Sequence, residues 1–375
     1  MKTTRTTFFV ISFKDKIIPI IFLIFTVSLI IFARQTLHAA KSGLDLWATA
    51  VVPSLFPFLV ATELLGKTNI IYSIGKILNR FMKPIFNVPG IGSFAFLMGL
   101  ISGYPIGAKI IADLRTKNLV TKSEAERLLS FCNNSGPLFI IATVGIIQFC
   151  DIRAGILLFI THLLASISVG IIFRFWKFND KEKNTKINHM PYIKNEPLGE
   201  MLSDSISKAI QNILMVGGFV VLFSVVISIL KEVGANSPFI IGLLEITNGI
   251  KETATFHAVS INTAIISSAF LLGFGGISIM LQSFSIISKT DISIKPYVIG
   301  KFFQGCFASL YTFLIFKNTN FFNLDAVTTF NSSVIRLNRT YMYATGYYNY
   351  YANYSFILVF ILLIIGFTYY RKLFK

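Results

Sequence analysis

Charge is scarce in this sequence, and negative charge scarcer still: Asp and Glu number 17 against 34 Lys and Arg in 375 residues. Charged residues make up 14% of the chain, where a soluble domain carries about a quarter. Three cysteines, Cys132, Cys150 and Cys306, have no metal or redox spacing, and His38, His162, His189 and His257 are scattered. These absences argue against zinc and thiol chemistry. No G-x₄-G-K-[ST] phosphate loop and no nucleophile–base arrangement is legible. No catalytic residue, metal site or cofactor is therefore expected, and the chain reads as a protein that is not an enzyme.

What the chain has in their place is long apolar runs. Hydrophobic types reach 54%, and nine windows are almost wholly apolar: Ile17–Ala33, Trp47–Leu65, Gly92–Leu114, Leu128–Phe149, Ala154–Phe173, Ile206–Leu230, Ile261–Ile287, Phe302–Phe316 and Tyr354–Tyr370. Most are long enough to cross about 30 Å of hydrocarbon. The expected fold class is an all-α polytopic membrane protein with about eight or nine hydrophobic segments, in two related halves with broken or re-entrant helices. The first run is read as a retained anchor or span. The net charge of +17 sits in short clusters at span ends, such as Lys67/Lys76/Arg80/Lys83 and Arg115/Lys117/Lys122, as expected where cytoplasmic loops keep positive charge. That placement argues against nucleic acid as a partner and for the lipid bilayer.

Five regions follow: an N-terminal anchor (1–46), a first repeat with a connecting span (47–174), a cytoplasmic polar linker (175–205), a second repeat (206–317), and a Tyr/Asn-rich loop with a C-terminal span (318–375). The linker contains "KFNDKEKNTKINHMPYIKNEPLGE", mixed in charge and without apolar period. The repeat rests on "AFLMGLISG" (Ala95–Gly103) against "AFLLGFGGI" (Ala269–Ile277). "ERLLSF" (Glu126–Phe131) faces "GKFFQG" (Gly300–Gly305) at the same offset, with Arg127 opposite Lys301. Transporters are often built from such repeats, with the substrate site where they meet. Basic residues flank Gly92–Leu114 on both sides and "SGYP" interrupts it, which predicts a re-entrant hairpin; the second half is left open.

The most telling stretch is "CNNSGP" (Cys132–Pro137) inside an apolar segment. Each unsatisfied backbone group in hydrocarbon costs several kcal/mol, so non-helical backbone survives there only inside protein or along a polar cavity. Gly136 permits unusual angles, Pro137 breaks the ladder, and Asn133, Asn134 and Ser135 can cap the freed groups. A tight turn at the membrane surface is the competing reading. "LLGFGGIS" supplies Gly273, Gly275 and Gly276 in a comparable place, or else simply permits close helix packing. "LLEITNGI" offers Glu245, Thr247 and Asn248, with Glu245 either at depth or paired at the interface with Lys231 or Lys251. Lys109 either meets an anionic solute or snorkels to the cytoplasmic face.

Together, "FNVPGIGSFAFLMGLISGYPIGAKIIADL", "LVTKSEAERLLSFCNNSGPLFI", "LLEITNGI" and "LLGFGGISIMLQ" resemble the YlbJ-type family of sporulation integral membrane proteins. The resemblance runs from about Trp47 to Leu310. It implies two nucleoside-recognition Gate domains, related to those of concentrative nucleoside transporters and ferrous-iron permeases. It further implies a multi-pass membrane protein of endospore-forming bacteria that moves dipicolinic acid across the outer forespore membrane. The substrate region it implies comprises Ser102, Gly103, Tyr104 and Pro105; Asn133, Asn134, Ser135 and Gly136; Glu245, Thr247 and Asn248; and Gly273, Gly275, Gly276 and Gln282. A nucleoside or ion permease and a non-transporting sporulation scaffold remain open alternatives. The expected partners are a small anionic solute and lipid, with room for a homo-oligomer and for coupling to a monovalent ion or a proton.

Overall fold

The structure, a computed structural model, describes residues 13–68, 70–178, 197–255 and 259–318. Most of the expected linker, the Tyr/Asn-rich segment and the span Tyr354–Tyr370 lie outside the described residues. Among the described residues the regular elements are all helical. The first half holds α1 (Phe13–Ile31), α2 (Ala33–Leu46), a π-helical turn Trp47–Val51, α3 (Val52–Gly66), α4 (Ile70–Phe86), α5 (Gly92–Ser102), α6 (Ile106–Thr116), α7 (Lys122–Cys132), a π-helical segment Leu138–Gln148 and α8 (Ile152–Phe173). The second holds α9 (Leu198–Glu232), α10 (Pro238–Leu244), α11 (Ile246–Thr255), α12 (Ile261–Phe274), α13 (Gly276–Ile287) and α14 (Lys295–Asn318).

Four stretches of the described residues are long and apolar enough to cross a bilayer: Ile152–Phe173, Leu198–Glu232, Ile261–Ile287 and Lys295–Lys317. The pair Ile18–Ile31 and Ala33–Thr49, bent by 99°, makes a fifth if taken as one span. The chain is thus an all-α polytopic membrane protein. Of the other apolar windows, Gly92–Leu114 and Leu128–Phe149 are broken into half-helices, Ile17–Ala33 falls in that bent pair, Trp47–Leu65 is a π-helical turn with a shorter helix, and Tyr354–Tyr370 lies outside the described residues. Apolar side chains such as Phe22, Ile30, Ile147 and Leu214 point outward, as lipid contact requires, while polar side chains such as Asn133, Glu245 and Lys301 are buried among an apolar core.

Gly92–Leu114 folds back on itself. α5 and α6 lie side by side, and Gly99 and Gly107 both press against the Cys132 carbonyl, where a Cβ would come within 2.0 and 2.2 Å of its oxygen. The expected hairpin is present, with its tip at Gly103–Pro105 packed on Gly136. Leu128–Phe149 is differently divided from the sequence reading. Helix α7 starts earlier, at Lys122, behind a capping box in which Thr121 and Glu124 satisfy each other's backbone N–H groups. The break at Asn133–Gly136 therefore falls midway between two half-helices.

A second hairpin, α10–α11, has its tip at Glu245, and Gly242 and Gly249 allow its arms to touch. Helices α12 and α13 form a crossing broken only at Gly275. In each half a long helical stretch precedes a hairpin, a broken span and an unbroken helix; the first half adds α1 at its start and α4 between the long stretch and the hairpin. This differs from the sequence alignment above, which set the hairpin arm α5 against α12 and α7 against α14. Chain order instead matches α5–α6 with α10–α11, α7 with α12, and α8 with α14.

Matched elements run in opposite directions. α2 and α3 pack antiparallel to α9: Ser228 donates to the Gln35 carbonyl (3.4 Å), the Trp47 indole to the Ile213 carbonyl (3.0 Å), and Lys67 pairs with Asp204 (2.7 Å). α14 runs parallel to α7, with Gly300 against Ser130 and Gln304 against Asn134. α12–α13 turns back along α14, with Gly273 on Gly305, so it runs opposite to α7. One end of the molecule is tied by the Arg127 guanidinium, which donates to the carbonyls of Asn87, Trp176 and Lys177 (2.8–2.9 Å). At the same end Arg115 holds Asp291 through two bonds of 2.9 and 2.8 Å. That contact holds the Asp291 carboxyl below its usual range, despite partial burial working the other way.

Candidate functional site

Both hairpin tips and both helix breaks meet inside the bundle. Between them lies a cavity of about 70 Å³, counted as space open to the centres of water-sized molecules. A single water needs about 10–15 Å³ on that measure, so the space admits a small solute. Its polar wall is made by Gly103, Tyr104, Ser135, Gly136, Glu245, Thr247 and Gln282. Its apolar wall comes from Val51, Leu55, Phe139, Val216, Val220, Ile246 and Ile279.

Local sequence explains each polar position. After Ser102 the chain needs Gly103, whose φ of +81° is open to glycine and strained for other residues. Tyr104 and Pro105 then turn it into α6. Pro137, which cannot donate, starts the π-helical segment where its missing N–H costs nothing. Glu245 is 2% exposed and caps α11, accepting from the backbone N–H of Thr247 (3.0 Å) and Asn248 (2.7 Å). It therefore lies at depth. The interfacial partners expected for it are not its own: Lys231 pairs with Glu252, and Lys251 is exposed.

Behind the wall a buried network ties the breaks together. Asn133 accepts from the Ala108 N–H (3.3 Å) and donates to Ser283 (2.8 Å) and Tyr297 (2.9 Å). Asn134 donates to the Phe131 carbonyl (2.8 Å), capping α7, and accepts from Gln304 (2.7 Å). The Ser135 N–H reaches His162 Nε2 (3.3 Å). Lys301 is wholly buried and donates to the Tyr104 hydroxyl (3.1 Å), the Asn133 carbonyl (3.0 Å) and Gln304 (2.7 Å). Tyr104 in turn donates to the Leu272 carbonyl (3.0 Å), the last turn before the Gly275 break.

Of the residues expected at the site, Gly103, Tyr104, Ser135, Gly136, Glu245, Thr247 and Gln282 line the cavity, and Asn133 and Asn134 hold the break from behind. Ser102 bonds Thr62 (2.8 Å), and Pro105 carries the turn into α6. Asn248 reaches Ser224 (3.2 Å). Gly275 and Gly276 carry the second break, whereas Gly273 serves close packing on Gly305. Lys109 stands apart from the cavity, in an ion pair with Glu63.

Sequence reasoning missed Lys301, Gln304, His162, Ser283 and Tyr297. Lys301 entered the sequence reading only as the counterpart of Arg127; it lies inside α14, one turn from Gln304. The available signal was a Lys and a Gln breaking an otherwise apolar helix, and a His in the middle of Ala154–Phe173, since ionisable residues within spans are functional candidates by default.

Residues 48–172 match the Gate family model, described as nucleoside recognition. The chain is 36% identical over 332 residues to the sporulation integral membrane protein YlbJ of Bacillus subtilis (strain 168), covering 79% of this chain and 81% of that protein. No solved structure matches. With paired hairpins, broken spans and that degree of identity over most of both sequences, this chain belongs to the YlbJ family of sporulation integral membrane proteins.

Proposed function

We propose that the protein is a carrier for a small anionic solute, dipicolinate, across the outer forespore membrane of a sporulating cell. The observation that carries the anionic reading is the convergence of four half-helix N-termini. α6, the π-helical segment, α11 and α13 all begin at or beside the cavity. Each presents the positive end of its dipole and backbone N–H groups, the device by which broken-helix carriers hold anionic groups. Lys301 adds a cation just behind Tyr104, and Glu245 offsets only the α11 terminus. The Tyr104 side chain and the apolar wall suit a planar ring.

Labelled dipicolinate and labelled uridine, offered separately to proteoliposomes, test the reading. Dipicolinate uptake is expected, with little uridine uptake. Glu245→Gln, which leaves one of two capped N–H groups without its carboxylate oxygen, is expected to cut that uptake at least tenfold while the protein remains folded. Uridine uptake without dipicolinate uptake replaces this proposal with a nucleoside permease, the reading that the Gate description favours. No uptake of either solute, with normal spore dipicolinate in Glu245→Gln cells, makes the protein a scaffold.

A further inference from the structure

The Lys301 ammonium sits in a nest of three oxygens drawn from three elements. They are the Tyr104 hydroxyl at the tip of the first hairpin, the Asn133 carbonyl at the break after α7, and Gln304 Oε1 on α14 itself, at 2.7–3.1 Å. The ammonium also lies 5.0 Å from the centre of the Tyr104 ring, close enough for a cation–π contact. All three acceptors are neutral, and the lysine is wholly buried. Burying a charge without an opposite charge is costly, and one source of negative potential lies beside the ammonium. Asn133 is the C-cap of α7, in an extended conformation, and its freed carbonyl lies at the negative end of that half-helix.

Unwound carbonyls and half-helix C-termini are the groups with which broken-helix carriers coordinate a coupling cation. Here a side chain of the protein fills that position. We propose that the Lys301 ammonium is a tethered cation occupying what would otherwise be a monovalent-metal site, so that hairpin tip and break are held together without Na⁺ or K⁺. This assignment rests on the meeting of the broken helices and is independent of which solute the cavity carries. Its consequence is that cutting the lysine back opens a cation site that the native protein does not offer.

The test is thermal unfolding of the full-length protein in detergent, in NaCl, KCl or choline chloride at equal ionic strength, a readout that needs no solute. Wild-type protein is expected to melt at the same temperature in all three salts. Lys301→Ala is expected to melt roughly 5 °C or more lower in choline and to recover part of that loss, saturably, in NaCl or KCl. Lys301→Met, which keeps the apolar stem and fills the nest with a weak acceptor, is expected to lose stability without salt-specific recovery. A saturable Na⁺ or K⁺ stabilisation of the wild-type protein overturns the proposal, and so does a folded Lys301→Ala variant indifferent to the cation. Should Lys301→Ala not fold, the wild-type titration alone decides: indifference supports the tethered cation, and saturable stabilisation rejects it.

Discussion

At Asn133–Gly136 the chain leaves the helix for four residues, whereas at Gly275 it steps aside at one. The first opening is filled by side chains. Asn133 and Asn134 use both ends of their amides: one end stays in the first half, on the Ala108 N–H and the Phe131 carbonyl, and the other reaches Ser283, Tyr297 and Gln304 of the second half, while Lys301 meets the Asn133 carbonyl. The second opening is made by backbone freedom: Gly275 and Gly276 have φ of +85° and +78°, values that L side chains rarely adopt. The carbonyl of Leu272 beside it is covered by Tyr104, from the first half. Each break is thus completed in part by the opposite half. A displacement of one half against the other must exchange these bonds, which links the hairpin tips mechanically to the breaks.

That contrast can be tested by damaging each break in its own currency. Asn133→Leu removes the largest number of partners, stranding the Ala108 N–H and leaving Ser283 and Tyr297 to satisfy each other. With three hydrogen bonds removed at about 1 kcal/mol each, and the Ala108 N–H left buried and unpaired, the expected loss is about 3 kcal/mol, read from unfolding in detergent. Gly275→Ala is expected to cost less, about 1–2 kcal/mol for a left-handed L-residue. Its Cβ would stand 3.1 Å from the Tyr104 hydroxyl, so Tyr104 must shift, and uptake should fall more steeply than stability. If Gly275→Ala proves the more destabilising of the two, the division into a side-chain break and a backbone break is wrong.

The smallest effect is expected away from both breaks, at the Arg115–Asp291 contact. Asp291 is about half exposed (49%), so Asp291→Asn should cost well under about 1 kcal/mol. The sign with pH is fixed by the lowered folded-state value. The pair's contribution is complete above the ordinary aspartate value of 3.8 and fades as pH falls through the lower value of the folded state. The stability difference between wild type and Asp291→Asn should therefore be constant near neutrality and shrink in acid. A difference that grows on acidification would show that Arg115 does not hold the carboxylate charged.

Much of the site was legible before any coordinates. "CNNSGP" and "SGYP" announced themselves because their residues are poor in helices and expensive in hydrocarbon, and Glu245 because a carboxylate among apolar residues needs a reason. The partners that complete the breaks were not legible. Lys301 resembles a snorkelling flank residue in the sequence, Tyr297 and Ser283 resemble ordinary helix positions, and their role depends on which helix crosses α7. The sequence alignment set α5 against α12, whereas the order of hairpin and span sets α5 against α10, since apolar stretches align at several offsets. For Lys109 the sequence left a solute contact and snorkelling open; in the structure its ion pair is with Glu63, distant in sequence.

By itself the sequence determined that this chain enters a bilayer and where its helices must fail, because both follow from the transfer cost of side chains and of unpaired backbone at each position. The tertiary structure alone decided that the two hairpins approach from opposite directions, that their tips share one cavity, and that a lysine lies buried behind it. These depend on contacts between residues far apart in the chain, and local propensity carries no information about which distant group will satisfy a freed carbonyl.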